Sequence, residues 1–221
     1  LVHDREMVVP CEDSLFAWGP VARGAAAPVP MRRSRGYAPL PITLPGDLPD
    51  DAVVLAAGAE IKNTFALTRD GQVFLSGHLG DLGSLEARRA HQAATSTMLG
   101  FHQVTPQVVA IDPHPSYAAS AWGRRRADDL GIANEEVQHH HAHLAALAAE
   151  HGRLAEPILG VVFDGTGYGC DGTVWGGEFL LLGDGGASTE RVGHLGAVRL
   201  PGADAGVRNP VRTAALAVLA A

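Results

Sequence analysis

Four histidines in five residues, His139, His140, His141 and His143, open an Ala- and Leu-rich run. A neutral imidazole nitrogen binds divalent metal, and residues four apart lie on one face of a helix. His139 and His143 can therefore reach one ion together if a helix begins at or before His139. Such a pair is by itself a weak pattern, because helical histidines are often solvated or capping groups. The context strengthens it. After the apolar run Ile158 to Phe163 comes Asp164, opening the glycine-rich stretch DGTGYGCDG. Glycine lets the backbone approach closely and take positive φ, so a strand ending in Asp-Gly-Thr-Gly presents amides to a phosphate. Metal ligands beside a phosphate cradle point to nucleotide chemistry. A second cationic run, MRRSRGY, brings Arg32, Arg33 and Arg35 together. Guanidinium groups suit phosphate or carboxylate, and a solvated basic face explains this run equally well.

The elements that must position these groups follow from hydrophobic pattern and turn chemistry. Val2 and Met7 to Val9 are strand-like, with turn chemistry at Cys11 to Ser14. Pro39, Pro41, Pro45 and Pro49 break regular structure and mark a linker. Strands are expected at Ala52 to Ala57, Phe65 to Thr68 and Val73 to Ser76, the last two joined by an Asp70-Gly71 hairpin turn. Helices are expected over Arg88 to Phe101 and Ser116 to Leu130, the second stopped by Gly131, with a strand at Val108 to Ile111 between them. A brief strand at Val137 and Gln138 leads into the histidine helix. The opening pattern then returns, with a strand at Ile158 to Phe163, a polar turn, an Asp171-Gly172 hairpin turn and a strand at Phe179 to Leu182. A loop and a helix from about Val211 complete the chain. Two copies of strand, polar turn and Asp-Gly hairpin imply a duplicated α/β fold whose two lobes close on a nucleotide.

Composition narrows the function classes. With 221 residues the chain can bury a sizeable core. A formal charge of −7 argues against a general nucleic-acid surface. No apolar run approaches the roughly 18–20 residues of a membrane span, and no signal-peptide pattern is present, so a soluble, cytoplasmic chain is expected. Cys11 and Cys170 form neither a disulfide framework nor a zinc finger. The chain starts Leu-Val-His-Asp and stops within an apparent helix, TAALAVLAA, which reads as a piece of something longer.

The runs VHDREMVVPCEDS, RRSRGYAPLPI, GAEIKNTFAL, FLSGHLGDL, DPHPSY, VQHHHAH and DGTGYGCDGTVWGGEF span nearly the whole chain in order. In these runs the chain resembles the HypF family, the carbamoyltransferases of [NiFe]-hydrogenase maturation. The resemblance implies that residues 1–36 end a YrdC-like α/β domain and that 37–50 form the proline-rich linker. Residues 51–157 are then the first lobe of a duplicated actin/hexokinase/sugar-kinase-type fold, and 158–221 begin the second, which is cut short. It also implies that carbamoyl phosphate and ATP yield a carbamoyl-adenylate. The carbamoyl group then passes to the C-terminal cysteine thiolate of a HypE-type acceptor, toward the cyanide ligands of the hydrogenase iron.

Carried over by motif, His139 and His143 match the family's metal pair, for iron or zinc. Asp164 matches the carboxylate opening its second phosphate loop, where it either joins them as a metal ligand or orients phosphate. Lys62 and Asp164 take catalytic roles, with Lys62 supplying positive charge to the transferring group. Lys62, Asn63, Gly165, Thr166 and Gly167 line the site for ATP and its Mg2+, while His140 and His141 stand between orienting substrate and a supporting role. Nucleic acid is not an expected partner beyond weak RNA contact by the YrdC-like domain, and no membrane is expected. The rival within the fold is an O-carbamoyltransferase or tRNA threonylcarbamoyl transferase, and the rival outside it a non-catalytic metal-binding scaffold. Because the family's N-terminal modules and the later half of the second lobe fall outside these 221 residues, the chain alone is expected to be inactive or nearly so.

Overall fold

The structure is a computed structural model. It describes the backbone of three strands before residue 40, then residues 40–44, 49 and 51–220 except 200, 203–204 and 207–208. The three early strands, β1 (Val8–Cys11), β2 (Ser14–Pro20) and β3 (Ala26–Arg32), form one antiparallel sheet in the order β1-β2-β3. Val2, Arg33 and Arg35 lie outside the described residues.

A six-stranded sheet follows. It comprises β4 (Pro41–Thr43), β5 (Val54–Ala56), β6 (Ala66–Arg69), β7 (Gln72–Leu75), β8 (Val108–Ile111) and β9 (Ala133–Glu136) in the order β4-β7-β6-β5-β8-β9. The β4–β7, β7–β6 and β6–β5 pairs are antiparallel, whereas β5–β8 and β8–β9 are parallel. The parallel pairs need crossovers, supplied by α1 (Leu85–His102) and α2 (Ala118–Leu130). Ser84 caps α1 by accepting from the Ala87 amide, and α2 ends on Gly131 at φ 65°. Leu55, Phe65 and Leu67 are buried beneath α1 with Leu99, while Ala57, Val109 and Ile111 pack with Ala119 and Ala127 of α2. Each such large apolar side chain contributes about 1.5–3 kcal/mol by leaving water. Gly123 lets α2 sit close, since a Cβ there would lie 2.5 Å from the Ile111 side chain.

Two sequence expectations are corrected here. The prolines at 39–49 do not exclude regular structure, because Pro41–Thr43 is an edge strand on β7, and proline is tolerated as the first residue of an edge strand. The strand before the histidine helix is not at Val137 and Gln138 but at Ala133–Glu136, whose residues are all exposed. No apolar alternation betrays it, because it lies at the end of the sheet beside β8 alone.

The second half repeats the first. Strands β10 (Ile158–Val162), β13 (Glu178–Gly183) and β14 (Ser188–His194) form an antiparallel sheet in the order β10-β13-β14, matching β5-β6-β7. A small hairpin, β11 (Gly167–Tyr168) with β12 (Val174–Trp175), interrupts the connection from β10 to β13. The Asp171-Gly172 turn belongs to that insert. The true counterpart of Asp70-Gly71 (φ 52° and 68°) is Asp184-Gly185 (φ 49° and 67°), between β13 and β14. The first is a two-residue turn with both residues at positive φ, as tight hairpins matching strand twist require. The second is longer, with Gly186 also at positive φ (92°) before Ser188 pairs back to Gly183. Helix α3 (His139–Glu150) lies on this second sheet through Leu144 and Ala148, which meet Trp175, Leu180 and Leu182. A Cβ on Gly160 would lie 2.4 Å from Leu144, so that glycine admits the helix. Helix α4 (Pro210–Ala220) ends the chain. No described helix is long and apolar enough to cross a membrane.

Candidate metal centre

The site forms where the two halves meet, from the residue after β8, the first turn of α3 and the loop after β10. Helix α3 begins at His139, as the metal pairing requires. Its cap is Gln138, whose Oε1 accepts from the backbone amides of His140 (2.7 Å) and His141 (3.0 Å). Those amides have no partner inside the helix, so the side chain stops the preceding extended segment and starts the helix at the first histidine.

His139, His143 and Asp164 converge, with one donor atom from each within 4.8 Å of the others. Asp164 Oδ2 lies 2.7 Å from His139 Nε2 and 3.4 Å from His143 Nε2, and the two Nε2 atoms are 3.2 Å apart. On the far side of the same ring, His139 Nδ1 donates to Asp112 Oδ2 at 3.1 Å. Two imidazoles and a carboxylate are the donor set of a catalytic zinc or iron site, so the residues fit such a metal.

Charge is distributed unevenly over the cluster. The hydrogen bond to Asp112 raises the His139 pKa above 6.5, with the Asp112 and Asp164 charges outweighing burial. Burial lowers that of His143, and the neighbouring positive charge of His139 lowers it further. Burial acts to raise Asp164, but the charges of His139 and His143 and the hydrogen bond from His139 hold it below 3.8.

The other two histidines face elsewhere. His140 is fully buried, and its Nε2 donates to the Asp164 carbonyl at 3.2 Å. Its Nδ1 accepts from Gln138 Nε2, which also donates to the Tyr168 carbonyl. A Cβ on Gly167 would lie 2.5 Å from the His140 ring, so the glycine loop rests on that imidazole. His141 Nε2 donates to the Gly186 carbonyl at 2.8 Å, tying α3 to the β13–β14 turn.

The loop is braced from its far end as well. Glu178, 2% exposed, accepts from the Gly176 and Gly177 amides and from Arg191 Nε at 2.6 Å. Burial acts to raise its carboxyl, but Arg191 and the two amides together lower it. Arg191 also reaches Asp171 and lies 4.3 Å over the Trp175 ring. Asp171, which further accepts from Thr173 and Trp175, is held down to about 2, chiefly by the Thr173 hydrogen bonds.

Of the residues singled out in the sequence, the structure joins His139, His143 and Asp164, with Gly165 and Thr166 exposed beside them and Gly167 buried. Lys62 and Asn63 stand on the β5–β6 loop, the first-half counterpart, and no hydrogen bond or ion pair among the described residues links them to the histidines. Lys62 is exposed at φ 51°, with its amide on Asp81. Asn63 is buried and donates to the Ala57 and Ala59 carbonyls, bracing its own loop. The sequence reading missed Asp112, although a signal was present: it follows an apolar strand directly, just as Asp164 follows the apolar run through Phe163.

Comparison with known proteins gives two family matches. The HypF Kae1-like domain matches residues 49–150, and the second subdomain of the carbamoyltransferase Kae1-like domain matches 160–221. Carbamoyltransferase HypF2 of Cupriavidus necator is 44% identical, over 99% of this chain and 26% of its own length. Carbamoyltransferase HypF of Synechocystis sp. is 41% identical, over 97% of this chain and 26% of its own. The chain thus spans about a quarter of the length of these curated relatives. Among solved structures, full-length HypF in the phosphate- and nucleotide-bound form superposes with a TM-score of 0.76 at 38% identity, covering 89% of this chain and 24% of that one. HypF of T. kodakarensis gives 0.75 at 33% identity, over 91% of this chain and 25% of that one. The two-lobed α/β topology described above is the actin/hexokinase-type fold these relatives share.

Proposed function

Since the chain belongs to the HypF family, we propose that it is part of the catalytic domain of an ATP-dependent carbamoyltransferase, with His139, His143 and Asp164 as metal ligands. Residues 1–36 end a YrdC-like domain, 37–50 lead from it and contribute edge strand β4 to the first lobe, 51–157 form the rest of that lobe and 158–221 begin the second. Carbamoyl phosphate is hydrolysed to carbamate with release of phosphate, and a carbamate oxygen attacks the α-phosphorus of ATP, giving a carbamoyl-adenylate as pyrophosphate leaves. The cysteine thiolate of a HypE-type acceptor then attacks the carbamoyl carbon, the bond to the phosphate oxygen breaks, and AMP leaves with the electron pair. The product feeds cyanide ligand synthesis for the hydrogenase iron.

What supports this reading is the convergence of the three donor groups beside the glycine loop. Bound there, an iron or zinc ion supplies positive charge to nucleotide phosphate oxygens. The chain's own groups do the rest. The exposed Gly165 and Thr166 offer backbone amides to phosphate, and Gly167 lets the loop cross His140. Lys62 brings a cation from the opposite lobe to the transferring group and to the ATP held with Mg2+, and Asn63 shapes the loop that carries it.

The experiment is metal content and carbamoyl-phosphate-dependent ATP–pyrophosphate exchange in the full-length protein, comparing wild type with the His139→Ala/His143→Ala double variant. Loss of both metal and exchange is expected. Unchanged metal and exchange would refute the assignment.

A further inference from the structure

We infer that Asp112 is a positioning residue that selects which nitrogen of His139 is offered to the metal. The inference rests on the reading of His139, His143 and Asp164 as ligands. A neutral imidazole carries one N–H and one lone pair. In the metal-free ring both nitrogens face carboxylates, Nδ1 on Asp112 Oδ2 at 3.1 Å and Nε2 on Asp164 Oδ2 at 2.7 Å. With Asp164 taken up as a metal ligand, Asp112 is the acceptor left to hold the ring's one proton, on Nδ1. The lone pair is then left on Nε2, the atom that faces Asp164 and His143.

Asp112 is itself fixed, and in a way that separates its two oxygens. Oδ1 accepts from the His114 amide at 2.8 Å, closing the turn after β8, while Oδ2 is given to His139. The side chain is buried, 7% exposed. Its backbone follows a strand paired on both edges, and the Ile111 carbonyl before it accepts from the Val137 amide. The carboxylate therefore cannot follow a ring that turns.

This division makes Asp112→Asn a tautomer switch. The asparagine Oδ1 still closes the turn with His114, but its NH2 now faces His139 Nδ1. Nδ1 must become the acceptor, the proton moves to Nε2, and the ligand lone pair no longer faces Asp164. A role confined to folding predicts no such reversal, since the turn survives.

The test is Zn2+ affinity in the full-length protein, for wild type, Asp112→Asn and the His139→Ala/His143→Ala double variant, together with 15N NMR of His139 in the zinc-loaded wild type. Asp112→Asn should weaken zinc binding about 10- to 100-fold, and the wild type should show an Nδ1–H proton with Nε2 on zinc. Zinc affinity of Asp112→Asn within about twofold of wild type overturns the positioning role if the double variant has lost zinc. If the double variant binds zinc like wild type, the ligand assignment itself falls and the inference with it. Should Asp112→Asn fail to fold, the NMR decides alone: zinc on Nδ1 of His139 overturns the inference.

Discussion

Asp112 and Asp164 hold opposite nitrogens of a single imidazole, although one follows a strand of the six-stranded sheet and the other a strand of the second. His139 is thereby the one side chain of the cluster with a carboxylate at each end.

That asymmetry predicts the protonation order of the metal-free protein. The His139 pKa is raised above 6.5 and that of His143 lowered below it, so between the two values only His139 is charged. The stability from His139 is fully present below pH 6.5 and is lost as pH rises through its raised folded value. His143 acts oppositely: its contribution is present above 6.5 and is lost as pH falls through its lowered value. Zinc affinity should fall with decreasing pH, because a proton then competes for His139 Nε2. Histidine-resolved NMR titration checks the order, and His143 titrating above His139 would contradict it.

Two neighbouring glycines should respond differently to the same added methyl. At Gly167 a Cβ would meet the His140 ring at 2.5 Å, and the ring is held on both nitrogens, so Gly167→Ala should cost about 1–3 kcal/mol and weaken metal binding by displacing Asp164. At Gly165 nothing lies within 4 Å, and Gly165→Ala should fold with near wild-type stability. Chemical denaturation of both variants measures the difference.

Arg191→Ala should be more damaging than its position on an outer strand suggests. It leaves Glu178 buried without its guanidinium partner, and removing one partner of a buried pair is strongly destabilising. With Arg191 partly exposed, a loss of roughly 2–4 kcal/mol is expected, much of it recovered in the Arg191→Ala/Glu178→Gln double variant. Equal stability of the single and double variants would remove the pairing argument.

The histidine run should divide by function. His141→Ala removes one hydrogen bond to Gly186 and should cost about 0.5–1.5 kcal/mol with metal affinity unchanged. His140→Ala empties a buried site under the glycine loop and should cost about 2–4 kcal/mol and lower metal affinity as well. Denaturation and zinc titration on the two variants separate anchor from support.

The sequence exposed what depends on local pattern. Val108–Ile111 and the start of α3 fell where apolar runs and histidine spacing placed them. Strand β14 stayed hidden because Ser188 to His194 contains one large apolar residue, exposed at the sheet edge, and its register comes from the turn at Asp184-Gly185. The second repeat was misaligned for a related reason: Asp171-Gly172 and Asp184-Gly185 look alike in sequence, and only pairing tells an inserted hairpin from a repeated one. Glu178 was beyond reach as a partner, since it acquires its role from Arg191, which the fold brings alongside. Asp112 after its apolar strand and Gln138 before the histidines, by contrast, left local signals that were passed over.

Helix α3 is fastened by Leu144 and Ala148 to the second sheet and by His141 to its turn, while its first residue reaches across to Asp112. The helix is therefore carried by the second sheet, and any displacement between the two sheets would be taken up at its first residue. The span it would stretch first is the one between Asp112 and His139. One imidazole thus couples the two sheets: whatever shifts the second sheet relative to the first is felt at the nitrogen offered to the metal.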